Sequence, residues 1–351
     1  MEKQVISLAA INPYIESHIV QPCEIDLKGR DFISWGEHND YPDYLLGLYN
    51  SVATLRSIIN GSIDYVLGDS IECTLDQFKQ KVNGKGETIE QIIRNITKDY
   101  YIYGGFALNV IRNRLGEVAE IYYLDFKNIR SDKKNENFYY SEDWGRSFGR
   151  VKYLAHPKFS QDSIAPSSIY YYKNIYNQVY PSPLYAASVK ACEIEKSINE
   201  YHLNSINNAF MGSYIINFNN GKPTDQQKEE IEKNVNEKFG GYQNAGRIVM
   251  SFNDTKDAET TITKIESEDF GAKYESLAKR SRQEIFTAFR AIPALFGIMT
   301  ETTGFSEQEF SEAFKLYNRT QIRPVQNIIK MAFDMILGKE GSLEIKPFTV
   351  E

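Results

Sequence analysis

Four histidines, three cysteines and a few acid clusters are the residue types from which this chain could build a reactive centre, and their spacing argues against one. His18, His38, His156 and His202 lie too far apart for a metal-ligand pattern. Cys23, Cys73 and Cys192 are scattered and odd in number, so no disulfide framework is implied and a reducing compartment fits. A phosphate-cradling G-x-x-x-x-G-K-[ST] run is absent, and Gly84-Lys85-Gly86 does not replace it. His38 near Asp40, and the acids Glu307, Glu309 and Glu312, are the nearest approach to acid–base machinery. Acids at such short range on a helix act mainly as a solvated face. The expectation is a protein that is not an enzyme, with no catalytic residues, no metal and no cofactor.

Composition narrows the class further. A chain of 351 residues exceeds the usual single domain, and 42% hydrophobic with 25% charged residues is ordinary for folded units. A net charge of −7 excludes a conventional phosphate-gripping protein. Acidity does not exclude contact with DNA that slides without sticking, because binding by phosphate neutralisation would hold the duplex in place. The 24 Tyr and 20 Phe against 2 Trp suit half-buried surfaces such as subunit contacts, or reflect coding bias. No run approaches the ~20 apolar residues of a membrane span, and Val5 to Ala10 is too short for a signal-peptide core.

The elements that must position any site fall into an ordered series. Tyr41-Pro42 opens a short helix that Asn50-Ser51 breaks, and a second runs from Val52 to Leu67 with Gly68 at its end. Thr88 and Gln91 form a capping box for a third, which stops at Tyr103-Gly104-Gly105. Ala107 to Arg112 and Val118 to Leu124 read as a hairpin, followed by short strands at Phe138 to Tyr140, Val151 to Ala155 and Ser168 to Tyr172. The front of the chain is therefore an α+β domain.

After Pro181 the pattern changes. Ser182 can cap and Pro183 fits a first turn, opening a rod to Phe210 of about 28 residues and about 42 Å. Leu184, Ala187, Ala191, Ile194, Ile198, Tyr201 and Ser205 make a narrow seam along it. A strand–helix–strand tip follows, with strands at Ser213 to Phe218, Arg247 to Phe252 and Thr260 to Ile265 and a helix capped by Thr224 and Gln227. Its helix ends at Gly240-Gly241. A second rod, Ser267 to Ala291, places Phe270, Tyr274, Leu277, Ile285 and Phe289 on one side. It also carries Lys273, Lys279, Arg280, Arg282 and Arg290, while Asp254 to Asp269 just before it is acidic; that polarity suggests head-to-tail pairing between copies. A polar loop, Phe296 to Phe305, leads to a long helix holding Pro324, where a kink is expected, and Leu343 to Thr349 reads as a strand. Two rods carrying a small tip need neighbours to cover them.

Several landmarks in this order resemble one family. They are Gly36 with Asn39-Asp40-Tyr41-Pro42, Tyr103-Gly104-Gly105-Phe106-Ala107 before a hairpin, and Ser182-Pro183-Leu184 opening a rod. Asn244-Ala245-Gly246-Arg247 before a strand, Ile292-Pro293-Ala294-Leu295-Phe296-Gly297-Ile298 before the polar loop, and Pro324 in the last helix complete the set. From Trp35 to about Phe333 the chain resembles the portal proteins of tailed bacteriophages.

The resemblance implies a wing at residues 1–181, stem helices at 182–212 and 266–293 flanking a small αβ clip at 213–265, and a tunnel loop at 294–306. A Pro-kinked helix and strand would occupy 307–351, with a crown small or absent. Met299, Thr300, Glu301, Thr302, Thr303 and Gly304 would lie nearest the DNA; they carry no Lys or Arg, a composition that touches a phosphate backbone without holding it. Lys273, Lys279, Arg280 and Arg282 would face a neighbour or the channel. The resemblance further implies a homo-oligomeric ring, usually a dodecamer, at one capsid vertex of the virion, assembled in the host cytoplasm and serving DNA packaging and ejection. Its partners would be the major capsid protein, the large subunit of a packaging motor, neck adaptor or tail proteins, and transiently and non-specifically double-stranded DNA, with no membrane. The alternative is another virion ring, a neck adaptor or tail component.

Overall fold

Local signals near the front of the chain explain its first elements. The structure is a computed structural model that describes residues 19–145, 151–207, 214–218, 224, 226–227, 230, 248–252, 270–297 and 307–348. Short strands β1 (Glu24–Ile25) and β2 (Ser34–Trp35) pair antiparallel, and helices α1 (Tyr41–Ser51) and α2 (Ala53–Leu67) follow. Strand β3 (Ser70–Cys73) leads to α3 (Ile89–Tyr103). Thr88 caps α3 as expected: its hydroxyl accepts from Gln91 N at 3.3 Å, and Gln91 Oε1 accepts from Thr88 N at 3.0 Å. Gly104 ends it at φ 85, where a Cβ would stand 2.1 Å from the Ser182 carbonyl, so both conformation and space require glycine.

The chain then turns to β structure. Strands β4 (Gly105–Arg112) and β5 (Val118–Leu124) form the expected hairpin; β6 (Ile129–Ser131), β7 (Asn137–Tyr140), β8 (Leu154–Pro157) and β9 (Ser167–Lys173) follow. They make two antiparallel sheets ordered β5-β4-β9 and β6-β7-β8. The strand expected from Val151 begins three residues later, at Leu154.

Between these sheets and the helices lies a dense aromatic core. Trp35 stacks on Tyr180 with 4.5 Å between centroids and meets Phe126 edge-on at 5.9 Å. Its most unusual member is Arg130, fully buried and satisfied by carbonyl oxygens rather than by a carboxylate. Its guanidinium donates to Asn39 O at 2.7 Å, Lys127 O at 2.7 Å and Ile129 O at 2.9 Å, and also to the Asn39 side-chain oxygen. It lies 5.0 Å from the Trp144 ring centre, and burial holds its pKa below the usual guanidinium range. Asn39, at φ 62, also accepts from Trp35 N at 3.0 Å. Asn39 is thus locked by one buried cation just before α1, and Pro42 lies in the first turn of that helix.

The rods begin later than expected. Helix α4 spans Val189–Asn207, not Ser182 onward. Asn174 takes up the backbone of Ser182, accepting from its N at 3.2 Å and donating to its O at 2.8 Å. Ser182 is therefore held outside any helix, and a 3-10 turn at Ala186–Ser188 precedes α4. Strands β10 (Tyr214–Phe218) and β11 (Ile248–Phe252) pair parallel from Tyr214↔Ile248 to Phe218↔Phe252. Parallel pairing needs a crossover connection, and Thr224 and Gln227 make their capping contacts within it. The expected strand Thr260 to Ile265 and the Gly240-Gly241 stop lie outside the described residues. Helix α5 spans Phe270–Ala288; Leu277, expected on its apolar side, is 44% exposed.

The last helix is two helices. α6 (Glu307–Tyr317) passes through a π turn at Asn318–Ile322 into α7 (Arg323–Leu337), and β12 (Leu343–Lys346) pairs antiparallel with β3. Pro324 is in the first turn of α7 rather than inside one helix. There its missing N–H costs little, and the widened turn absorbs the irregularity.

The chain divides into two compact units. Among the described residues, one is Ile19–Glu193 with Arg280 onward, and the other falls within Ile194–Lys279. Within the second, Tyr201 stacks on Tyr274 at 4.9 Å and His202 lies 5.9 Å from the same ring.

Candidate functional site

Met299, Thr300, Glu301, Thr302, Thr303 and Gly304 lie outside the described residues, and the site is defined by the elements that hold them. The N-terminal flank starts at the end of α5. Arg290 N bonds Thr287 O at 3.0 Å and Ala291 N bonds Phe286 O at 2.9 Å, the double bond of a Schellman stop. Its left-handed position holds Arg290 at φ 49, where glycine is the usual occupant. Arg290→Gly is expected to raise stability by about 0.5–1 kcal/mol, read as a higher thermal midpoint. A lower midpoint would show that the arginine side chain makes a contact worth more than the backbone cost.

The rod expected to run to Ala291 and stop at Pro293 ends earlier, at Ala288, through this backbone stop, and the residues directly after Pro293 are not loop. Pro293–Phe296 is a 3-10 turn seated on α2. Tyr65 OH donates to Leu295 O at 2.6 Å. The Phe296 ring lies 6.0 Å from Tyr65, 6.1 Å from Phe286 and 5.7 Å from Tyr317. A Cβ on Gly61 would come within 2.8 Å of that ring, so α2 carries glycine where the turn presses in. Of the loop expected at 294–306, residues 294–297 belong to this anchored turn, and residues 298–306 lie outside the described residues.

The C-terminal flank is fixed to the same helix. Phe314 and Tyr317 of α6 are buried. Tyr317 OH and Ser62 Oγ share a hydrogen bond of 2.9 Å, and burial pushes the phenol up to about 12. Phe314 lies 5.6 Å from Tyr65, and Gln326 Nε2 of α7 donates to Val66 O at 2.9 Å. Gly61, Ser62, Tyr65 and Val66 thus form one platform that holds both sides of the intervening segment.

The basic residues of α5 do not form an unbroken cationic face. Arg280 Nε bonds Glu284 Oε1 at 2.9 Å, an exposed pair one turn apart that contributes little to stability. Lys279 and Arg282 are exposed, and the Lys273 side chain lies outside the described residues. Of the acids near the loop, Glu309 and Glu312 are exposed, and Glu312 pairs with Lys315 at 2.8 Å. Among the described residues no group of three His, Cys, Asp or Glu is placed to hold a metal, and no helix is long and apolar enough to cross a membrane.

Sequence reasoning missed the platform. It gave α2 only as a helix from Val52 to Leu67 closed by Gly68. Gly61 was the available signal: an isolated glycine inside a helix costs about 1 kcal/mol and points to a close approach.

Comparison with known proteins completes the picture. The family model for phage portal proteins matches residues 78–348. No curated protein matches the chain. Among solved structures, the chain is similar to one in the neck of a native gene transfer agent particle computed with C12 symmetry, at 17% identity and TM-score 0.54, covering 87% of this chain and 84% of that one. It is similar to one in the virion of a native gene transfer agent particle, at 16% identity and TM-score 0.54, covering 87% and 83%. It is also similar to an HK97-family phage portal protein from Corynebacterium diphtheriae, at 10% identity and TM-score 0.50, covering 86% and 94%. At these identities the likeness is one of fold.

Proposed function

The chain belongs to the phage portal protein family, and from that premise we propose that it forms a closed ring at one capsid vertex of a virion, through which double-stranded DNA passes during packaging and ejection. The observation that carries this reading is apolar surface left open on the two long helices. Ile194 is 40% exposed, Tyr201 49% and Leu203 59% on α4, and Leu277 is 44% exposed on α5. Identical neighbours around an axis would cover such faces, and a head-to-tail contact repeated with closing rotation makes a ring.

In this reading residues 1–181 are the wing, 182–212 and 266–293 the stem segments, and 213–265 the clip. Residues 298–306 are the tunnel loop, with Met299 to Gly304 nearest the DNA. Lys273, Lys279 and Arg282 face a neighbouring copy or the channel, and Arg280 is paired with Glu284 on the same helix. The ring performs no chemistry of its own. Its partners are the major capsid protein, the packaging motor's large subunit and neck or tail proteins.

Negative-stain imaging and native mass spectrometry of the purified protein test the proposal. Closed rings with an axial opening are expected. A monomer that persists across salt and protein concentrations overturns it. Rings that crosslink to tail components but never to a packaging motor would instead indicate a neck adaptor or tail ring.

A further inference from the structure

The residues after β12 do more than finish a strand pair. β12 lies against β3 with Leu343 opposite Cys73 and Lys346 opposite Ser70, and Asp69 N donates to Lys346 O at 3.1 Å. Gly68, at φ 64, ends α2 directly beneath this segment. A Cβ there would stand 2.1 Å from the Lys346 carbonyl oxygen, so only glycine admits the approach. The chain then crosses toward α6. The Phe348 ring stands at 90° to Tyr65 with 5.4 Å between centroids, and lies 5.8 Å from Phe314. Tyr65 is the residue that holds Leu295 and Phe296 on one flank, and Phe314 belongs to the other. Phe348 touches both while remaining 37% exposed.

We propose that Lys346–Phe348 is a displaceable strap: seated, it clamps α6 onto the α2 platform; lifted, it frees α6 while α7 stays in place. The two helices are held unequally. α7 buries Val325, Ile329, Ala332, Phe333 and Ile336, bonds Val66 O through Gln326, and accepts from Ser342 N at Asp334 Oδ1 at 2.8 Å. The buried side chains of α6 among the described residues are Phe314 and Tyr317, with Phe310 and Ala313 partly covered. The π turn at Asn318–Ile322 lies between them, so a shift of α6 need not be transmitted along a regular helix. The strap's own hold is light. Lys346, Pro347 and Phe348 are all exposed, and elements with few buried contacts open first. It therefore sets, from the surface, how firmly the post after residue 306 is held. The strap is a property of the single chain and stands whether or not copies assemble.

Hydrogen exchange on the full chain tests it, comparing the parent with Phe348→Ala and Phe348→Leu. Losing a two-thirds-buried aromatic ring is expected to speed exchange of the Phe310–Tyr317 amides about tenfold, with Val325–Ile336 unchanged. Phe348→Leu keeps apolar bulk but loses both ring contacts, and is expected to give a smaller change confined to the same amides. Gly68→Ala, which unseats the strap from beneath, is expected to match Phe348→Ala. Equal acceleration in α6 and α7, or none in α6, overturns the proposal. Should Phe348→Ala not fold, the Phe348→Leu comparison decides by the same criterion.

Discussion

Arg130→Ala is expected to lower the stability of the unit containing α1–α3 and the two antiparallel sheets by about 4 kcal/mol, enough to move its thermal midpoint down by roughly 10 °C. The cost has two sources. The backbone oxygens of Asn39, Lys127 and Ile129 lose a donor in a buried or half-buried setting, and the Asn39 side-chain oxygen is left with Trp35 N alone. A large fully buried side chain also leaves a cavity beside Trp144. Arg130→Lys is expected to recover little, because an ammonium has three donors on a flexible stem and cannot reproduce the planar fork. Thermal and urea unfolding followed by tryptophan fluorescence would measure both variants. A loss below about 1 kcal/mol would mean that the orphaned carbonyls find solvent.

Deleting Met299 to Gly304 is the second large effect, and it falls on activity. Both flanks of this segment are fixed independently to α2, through Tyr65–Leu295 on one side and Ser62–Tyr317 on the other. The deletion is therefore expected to leave the ring intact under the microscope while reducing packaged or retained DNA by an order of magnitude or more, consistent with a positional rather than structural role. The readout is DNA protected from nuclease in particles assembled with the variant. Collapse of the ring would show instead that the segment is a packing element. Normal DNA content would remove it from the translocation path.

How much of this was legible depended on distance along the chain. The α3 capping box, the Gly104 stop and the β4–β5 hairpin rest on residues a few positions apart, and the structure has them as read. Ser182 looks like a helix cap because nothing nearby competes for it; the competitor, Asn174, sits eight residues earlier. Arg130 reads as a surface residue among Lys127, Asp132 and Lys133, and only long-range folding surrounds it with carbonyls. Tyr65 could not be recognised as a hub, because its partners Leu295, Phe314 and Phe348 lie more than two hundred residues away. Pro324 announces an irregularity but not its form: the bonding of the neighbouring turn decides between a bend and a widened coil.

The unit holding the platform is made from two stretches, Ile19–Glu193 and Arg280–Glu351, with 86 residues between them. On the ribosome the first stretch emerges with the Gly61–Tyr65 face and the β3 edge uncovered. At the usual ~5–20 residues per second, roughly 4–17 s of synthesis separate it from the residues that cover them. A newborn chain must therefore carry exposed aromatic surface through that interval, among many siblings on the same messenger. Early association of half-made copies is the hazard this arrangement creates, and chaperone capture of nascent chains stalled between the two stretches is where it would be seen.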